Sequence, residues 1–353
     1  MHASRRAFLF LRAATARFAS FAGRPRFLAP LATAAPIDRG YVWGVAQSTD
    51  FVLAASIDGF LRVWSKQDGA LVLEMKTPND KPAITVAVQG MLAAVGTIGG
   101  SLFIIDLTTA SVLHALEGHT SNAGSLIFSG NELVSGSYDT TIRFWDKISG
   151  RETLRIAAGA SVMDLAAYEN LLVAGLSDHT VRVFDRANGD PRDVLTEAEG
   201  EVNAVAIDAQ RMVSGSRDKL VRIYAMPSFE LVRVLGKHLS VVTSVALEGH
   251  RIVSGSRDKT VILWDARSGR ALDVLEGHKD WVKSVSLFGL EVVSGSDDST
   301  VRVWNAETGA LIRELNGTEA VPSGSPAEVY LESPIEEVLG SSAEVETDLE
   351  TAR

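Results

Sequence analysis

The stretch Arg251-Ile-Val-Ser-Gly-Ser-Arg-Asp-Lys-Thr-Val-Ile-Leu-Trp-Asp-Ala-Arg267 decides the fold. It reads as an apolar run, a Ser-Gly-Ser turn, an Asp, and a second alternating run that ends in Trp264-Asp265. The pattern returns at Glu291–Asn305, Arg211–Ala225, Leu171–Asp185 and Glu132–Asp146, and fainter copies end at Ile105-Asp106 and Trp64-Ser65. From Trp64 to Trp304 the closing residues step by 41, 40, 39, 40, 40 and 40.

A near-constant period of about 40 residues is the sequence signature of a β-propeller, because a four-stranded blade needs about that much chain. In the sixth copy the four strands read as Val241–Leu247, Arg251–Ser254, Thr260–Trp264 and Ala271–Leu275, with a tight turn at Ser256-Arg257-Asp258-Lys259. The third strand alternates, Val261 and Leu263 on one face, Ile262 and Trp264 on the other. Inner strands are predicted to begin at Val42, Ala83, Ala123, Val162, Val202, Val242 and Val282, which gives seven blades. Each blade would bury each Trp and each Val-x-Val pair against the next one. The expectation is an all-β, seven-bladed propeller over residues 40–315, closed by side-chain packing with Gly40–Val45 as its first strand.

With Gly-His at Gly118-His119 and Gly277-His278, and Trp-Asp in the better copies, the sequence resembles the WD40 (β-transducin) repeat family from about Gly40 to Leu315. That resemblance implies, in three blades, a buried set of hydrogen-bonded residues: His119, Ser135, Asp139 and Trp145; His238, Ser254, Asp258 and Trp264; His278, Ser294, Asp298 and Trp304. A Ser, a His and an Asp together suggest a hydrolase triad, but three copies at one structural spacing are staples. Blades 1, 2, 4 and 5 lack the His, and blade 2 has Gly99 in place of the Asp, which predicts looser edges there.

Composition narrows the function. The chain has no Cys, so disulfides, Cys-bound zinc and a Cys nucleophile are excluded. The net charge of −10 is unevenly spread: +6 over residues 1–40, −8 over 316–353 and −8 over the repeats. That balance argues against coating DNA. No apolar run approaches the ~18 residues of a membrane span. Met1–Pro36, rich in Arg and without an acid, reads as a disordered extension or an organellar transit peptide, residues 1–37 forming a leader outside the fold. Residues 316–353 read as a disordered acidic tail with Ser325-Pro326, Ser333-Pro334 and an Ile335–Leu339 docking segment. The compartment expected is cytoplasm or nucleus, or mitochondrion or plastid where the leader is a transit peptide. No phosphate loop, zincin or nucleophile-elbow motif is present, so no catalytic residue, metal or cofactor is expected.

In the family two positions per blade face one rim of the central channel: the second residue of the inner strand and the residue before the turn Asp. Here these are Trp43 and Ile57, Ile84 and Ile98, Gly124 and Tyr138, Met163 and Ser177, Asn203 and Arg217, Thr243 and Arg257, Lys283 and Asp297. Arg217, Arg257 and Lys283 form a basic arc facing aliphatic and aromatic residues, suited to an acidic or phosphorylated peptide with an apolar anchor. Asn203, Thr243, Tyr138 and Trp43 complete the predicted peptide site. Mid-strand Arg62, Arg143, Arg182, Arg222 and Arg302 read as stems lying over neighbouring blades. The repeats look most like the propellers of F-box/WD-repeat ubiquitin-ligase substrate receptors, which read phosphodegrons through rim Arg residues. No F-box is visible in residues 1–40, and Asn203 and Thr243 replace the inner-strand Arg residues of those receptors, so only the recognition mode carries over. The expected function is a non-enzymatic scaffold in a multiprotein complex. The alternatives are a structural subunit of a ribonucleoprotein or other assembly that uses its blade sides, and an enzyme built from unlike loops.

Overall fold

A computed structural model describes residues 40–315 of the chain. The predicted leader and the acidic tail, with its Ser-Pro dipeptides and docking segment, lie outside the described residues. Residues 40–315 hold 28 strands in seven four-stranded antiparallel sheets, each made of four consecutive strands. The inner strands start at Val42, Ala83, Ala123, Val162, Val202, Val242 and Val282, as the period requires. Blade 6 consists of Val242–Glu248, Arg251–Ser256, Val261–Asp265 and Ala271–Leu275.

The second strand corrects the sequence reading. Ser254-Gly255-Ser256 is not a turn: Ser244 pairs with Gly255 and Val242 with Ser256. Gly255 is needed because a Cβ there would lie 2.7 Å from a Val282 methyl and 2.9 Å from a Val285 methyl of the next blade. The chain reverses one step later, with Lys259 at φ 75°. Thr140, His179, Lys219 and Ser299 hold the same left-handed position in blades 3, 4, 5 and 7. Only blades 1 and 2 have Gly here, at Gly59 and Gly100.

Packing follows the strand alternation, with one correction. Trp264 joins Val213, Val221 and Ile223 of blade 5, and Trp304 joins Val253, Val261 and Leu263 of blade 6. The Trp face therefore meets the preceding blade, and the Val-x-Val face meets the following one. Each such side chain contributes about 1.5–3 kcal/mol of apolar transfer once both blades are in place. The ring closes in the same way. Val42, Val45 and Trp64 of blade 1 pack with Val293, Val301 and Leu315 of blade 7.

A polar clip reinforces the joints. The third inner-strand residue of one blade accepts a hydrogen bond from a backbone N–H of the next. Val45 N donates to Ser284 Oγ, Leu165 N to Ser125 Oγ and Val285 N to Ser244 Oγ, each at 3.1 Å.

Candidate functional site

In blades 3, 6 and 7 the family tetrad is assembled. His119 Nδ1 lies 2.8 Å from Asp139 Oδ2, His119 Nε2 lies 2.8 Å from Ser135 Oγ, and Trp145 Nε1 donates to Ser135 Oγ at 2.8 Å. His238, Ser254, Asp258 and Trp264 repeat this arrangement, as do His278, Ser294, Asp298 and Trp304. Hydrogen-bond bookkeeping assigns the indole N–H to Ser, the Ser hydroxyl to His Nε2 and His Nδ1–H to Asp. Burial lowers the His119 pKa, which keeps that ring neutral. Burial opposes ionisation of Asp139, yet hydrogen bonds from Thr141, His119 and the Thr120 N–H hold its carboxyl well below the usual carboxylate range. Each Ser is fully buried with its hydroxyl already engaged, so no nucleophile is presented.

The blades without the His are not looser at this point. Their turn Asp is held by the third-strand Arg instead: Arg62 to Asp58 at 2.6 Å, Arg182 to Asp178 and Arg222 to Asp218 at 2.7 Å. In blades 3 and 7, where His takes the Asp, Arg143 and Arg302 turn to Glu152 and Glu314 at 2.9 Å. The head groups of these arginines thus pair within their own blades, while Arg62 also lies beside Ser299, Val301 and Leu315 of blade 7. In blade 2, Gly99 N donates instead to Asn122 Oδ1 at 2.9 Å. The same arginines explain the Gly of Gly-His. Gly118 and Gly277 sit at φ 152° and 141°, and a Cβ would come within 2.3 and 2.0 Å of Arg143 and Arg302 Nη1.

The rim is built by a repeated irregularity. In all seven blades the inner ladder shifts register around the second inner-strand residue. Trp43, Ile84, Gly124, Met163, Asn203, Thr243 and Lys283 are therefore bulge residues, re-aimed out of the sheet. The residue before each turn Asp is tied beside it by a backbone bond, as from Arg257 N to Val241 O at 3.0 Å and from Asp297 N to Trp281 O at 2.9 Å.

These positions do different things. Asn203 Nδ2 donates to Val242 O at 3.0 Å, and Thr243 Oγ1 lies 2.6 Å from Val282 O, so both side chains already serve the ring wall. Tyr138 is 41% exposed, and a Cβ on Gly124 would lie 2.9 Å from its ring. Arg217 is paired with Glu201 at 3.0 Å, beside Glu199 and Asp218.

Blades 6, 7 and 1 do converge. The Arg257 guanidinium lies 4.6 Å from the centre of the Trp281 ring, and Lys283 Nζ lies 5.0 Å from Trp281 and 5.3 Å from Trp43. Asp297 Oδ2 contacts Lys283 Nζ at 3.3 Å. Burial pushes the Asp297 carboxyl up, and Lys283 opposes that shift. Trp43 Nε1, Arg257 Nε and Asp297 Oδ1 are buried without a hydrogen-bond partner among the described residues. Trp281 is the contributor that the two-position pattern misses. Its signal was an aromatic just before an inner strand, a position that blade 1 also fills with an aromatic, Tyr41, and the other blades with Pro82, Asn122, Ser161, Glu201 and Val241. A second group missed by the sequence reading is Asp164, at the clip position. Its Oδ1 accepts from Ser125 Oγ at 2.8 Å and its Oδ2 from Val205 N at 2.9 Å. Burial pushes it up to about 6 against those hydrogen bonds. Among the described residues no cluster of three or more His, Cys, Asp or Glu is placed to hold a metal ion.

Seven four-stranded blades, three with the His-Ser-Asp-Trp tetrad, define a propeller that presents a variable rim on an invariant frame. The model of the "WD domain, G-beta repeat" matches residues 110–146, 229–265 and 269–305, the segments that end in blades 3, 6 and 7. The chain belongs to the WD40-repeat family. The matched segments are those whose blades carry the His; where Arg replaces it the pattern is diluted. Among curated relatives, Autophagy-related protein 16 of Arabidopsis thaliana is 27% identical over 42% of this chain and 30% of its own length. The U3 small nucleolar RNA-associated protein 21 homolog of Schizosaccharomyces pombe is 31% identical over 28% of this chain and 11% of its own. The matches thus span less than a third of these two relatives. The crystal structure of the computationally designed Ika8 protein superposes with a TM-score of 0.64 at 27% identity, covering 82% of this chain and 90% of that one.

Proposed function

We propose that this chain is a non-enzymatic protein-interaction scaffold whose rim at blades 6, 7 and 1 holds an acidic, apolar-anchored segment of another protein. The carrying observation is the Arg257–Trp281–Lys283–Trp43 stack with buried, unpartnered N–H groups on Trp43 and Arg257. Donors left unpaired away from water are costly, and an incoming acceptor recovers that cost. A carboxylate or phosphate at Arg257 makes charge-assisted bonds, and the indole faces take the apolar anchor. Arg217 and Tyr138 flank the site, while Asn203 and Thr243 shape its wall. One similar protein is named as associated with the U3 small nucleolar RNA, which supports the scaffold reading and the nucleus as its place, with the cytoplasm as the other expected compartment.

The test compares partners captured by the full chain and by its Arg257→Glu/Lys283→Glu variant, at low and high salt and with or without phosphatase. Partners lost in the variant and at high salt support the rim, because exposed charge pairs are screened. Retention in both conditions refutes it. A second reading, assembly through blade sides, rests on the outer strand of blade 5, Leu231–Leu235. There Leu231, Val232 and Val234 are exposed with a single charge, Arg233, among them. Val232→Lys/Val234→Lys would abolish capture on that reading.

A further inference from the structure

The rim stack has a ready occupant in the same chain. Leu315, the last described residue, pairs with Val301, four residues after Asp297. It also lies with Val42 and Ser299 around one small cavity, at the end of the ring that carries Trp43 and Lys283. The chain therefore leaves blade 7 on the face that carries the stack. Beyond Leu315 follow 38 residues with nine acids and one Arg. Within them, Glu328-Val329-Tyr330-Leu331-Glu332 sets an acid at each end of an apolar anchor.

The span is short. From the outer to the inner strand of a blade is three strand spacings, about 14 Å. Glu328 lies thirteen residue steps beyond Leu315, and that length of extended chain reaches about 43 Å. A tether of this length presents the segment at an effective concentration on the order of 1 mM. A second copy of the chain would have to compete with that.

We infer that the segment around Glu328–Glu332 docks on the Arg257–Trp281–Lys283–Trp43 stack of its own propeller, and that an outside acidic segment binds by displacing it. This rests on the rim reading above. Charge complementarity selects the occupant: the segment is acidic, while the stack offers two cations, one of them, Lys283, already shared with Asp297. The apolar trio Val329-Tyr330-Leu331 supplies the anchor that two indole faces accept.

The experiment uses three full-length proteins: the wild type, a form with the nine acids after Leu315 changed to Gln or Asn, and that form with Arg257→Glu/Lys283→Glu. Circular dichroism and thermal midpoints verify that all three fold alike. The probes are a labelled peptide of residues 324–340 and an unrelated peptide with equal acids and one Tyr, read by fluorescence anisotropy. Occupancy by the tethered segment predicts that the neutralised form binds either probe at least about tenfold more tightly than the wild type. It also predicts that the rim substitutions remove the gain. Equal binding by wild type and neutralised form overturns the inference and leaves the rim reading standing. Binding of the unrelated peptide but not of 324–340 does the same. If neither peptide binds the neutralised form, both readings fall.

Discussion

Asp164→Ser should stabilise the propeller at neutral and alkaline pH and leave it nearly unchanged in acid. In three other blades the clip position holds a Ser that accepts one backbone N–H from the next blade. Asp164 does the same for Val205 N, but brings a carboxylate into the ring wall. No cation is among the groups that set its ionisation; Ser125 and two backbone N–H groups are its partners. Burial outweighs them and lifts the carboxyl to about 6 from an unfolded value of 3.8. The sign follows from that direction. The folded state favours the proton, so the favourable contribution is complete below about pH 4 and is lost as pH rises through about 6. A rise from 3.8 to about 6 corresponds to about 3 kcal/mol. The residue is only partly buried, so solvent screening makes this a ceiling. Near the thermal midpoint of a ring this size, 3 kcal/mol is roughly 5 °C. The assay is urea and thermal unfolding of wild type and Asp164→Ser, followed by Trp fluorescence in steps from pH 4 to pH 8. The quantity of interest is variant minus wild type, because the other carboxylates cancel in it. A gain that grows between pH 4 and pH 7 is expected. A difference that stays flat across that range refutes the raised pKa and the account of the clip as a buried anion site.

Arg222→Ala should cost about 3–5 kcal/mol, because it leaves the largely buried Asp218 without its cation. His278→Ala should cost about 2–4 kcal/mol through two lost buried hydrogen bonds; urea midpoints compare the two, and a negligible cost for Arg222→Ala would show that Arg does not substitute for the His. Gly277→Ala should lose about 2 kcal/mol or more, since the new Cβ meets Arg302 at a backbone angle that L residues avoid. Combining it with Arg302→Ala should relieve the steric part, measured as a double-mutant cycle in thermal unfolding.

The ring was legible because a period near 40 fixes blade number and strand register together, and the inner strands start where the repeat places them. The tetrads were legible through the family resemblance, because their spacing recurs unchanged in three blades. What was not legible depends on contacts between elements far apart in sequence. Nothing in the string tells that the Trp face meets the preceding blade, since both faces of a third strand are apolar. The partner of Asp58, Asp178 and Asp218 is four residues away, yet the missing His drew attention from it. The convergence on Lys283 needs Trp43, some 240 residues earlier, which only closure of the ring brings near. Asp164 was readable in principle: aligned by the period, its column is Gly44, Thr85, Ser125, Asp164, Ala204, Ser244 and Ser284. One acid among small residues marks a position where the frame itself changes its chemistry.

The exchange of His for Arg also bears on where function resides. Each turn Asp except the missing one of blade 2 has a hydrogen-bonding partner, so the turn geometry is kept whichever residue provides it. A fixed turn fixes the residue before it, and the inner-strand bulge fixes the residue beside that one. The frame therefore delivers fourteen positions to one rim with little dependence on which residues fill them. Their identities are free to follow a ligand, and identities that cost the frame something need a reason outside it. Arg257 and Trp43 leave buried N–H groups unpaired, and Trp281 leaves an indole 39% exposed. None of these serves the blade that carries it. A rim selected only for stability would hold residues like Thr243 and Asn203, whose side chains bond the neighbouring strand. The contrast between those two kinds of rim residue, lying side by side on blades 5 to 1, is the argument for placing the proposed binding surface at blades 6, 7 and 1.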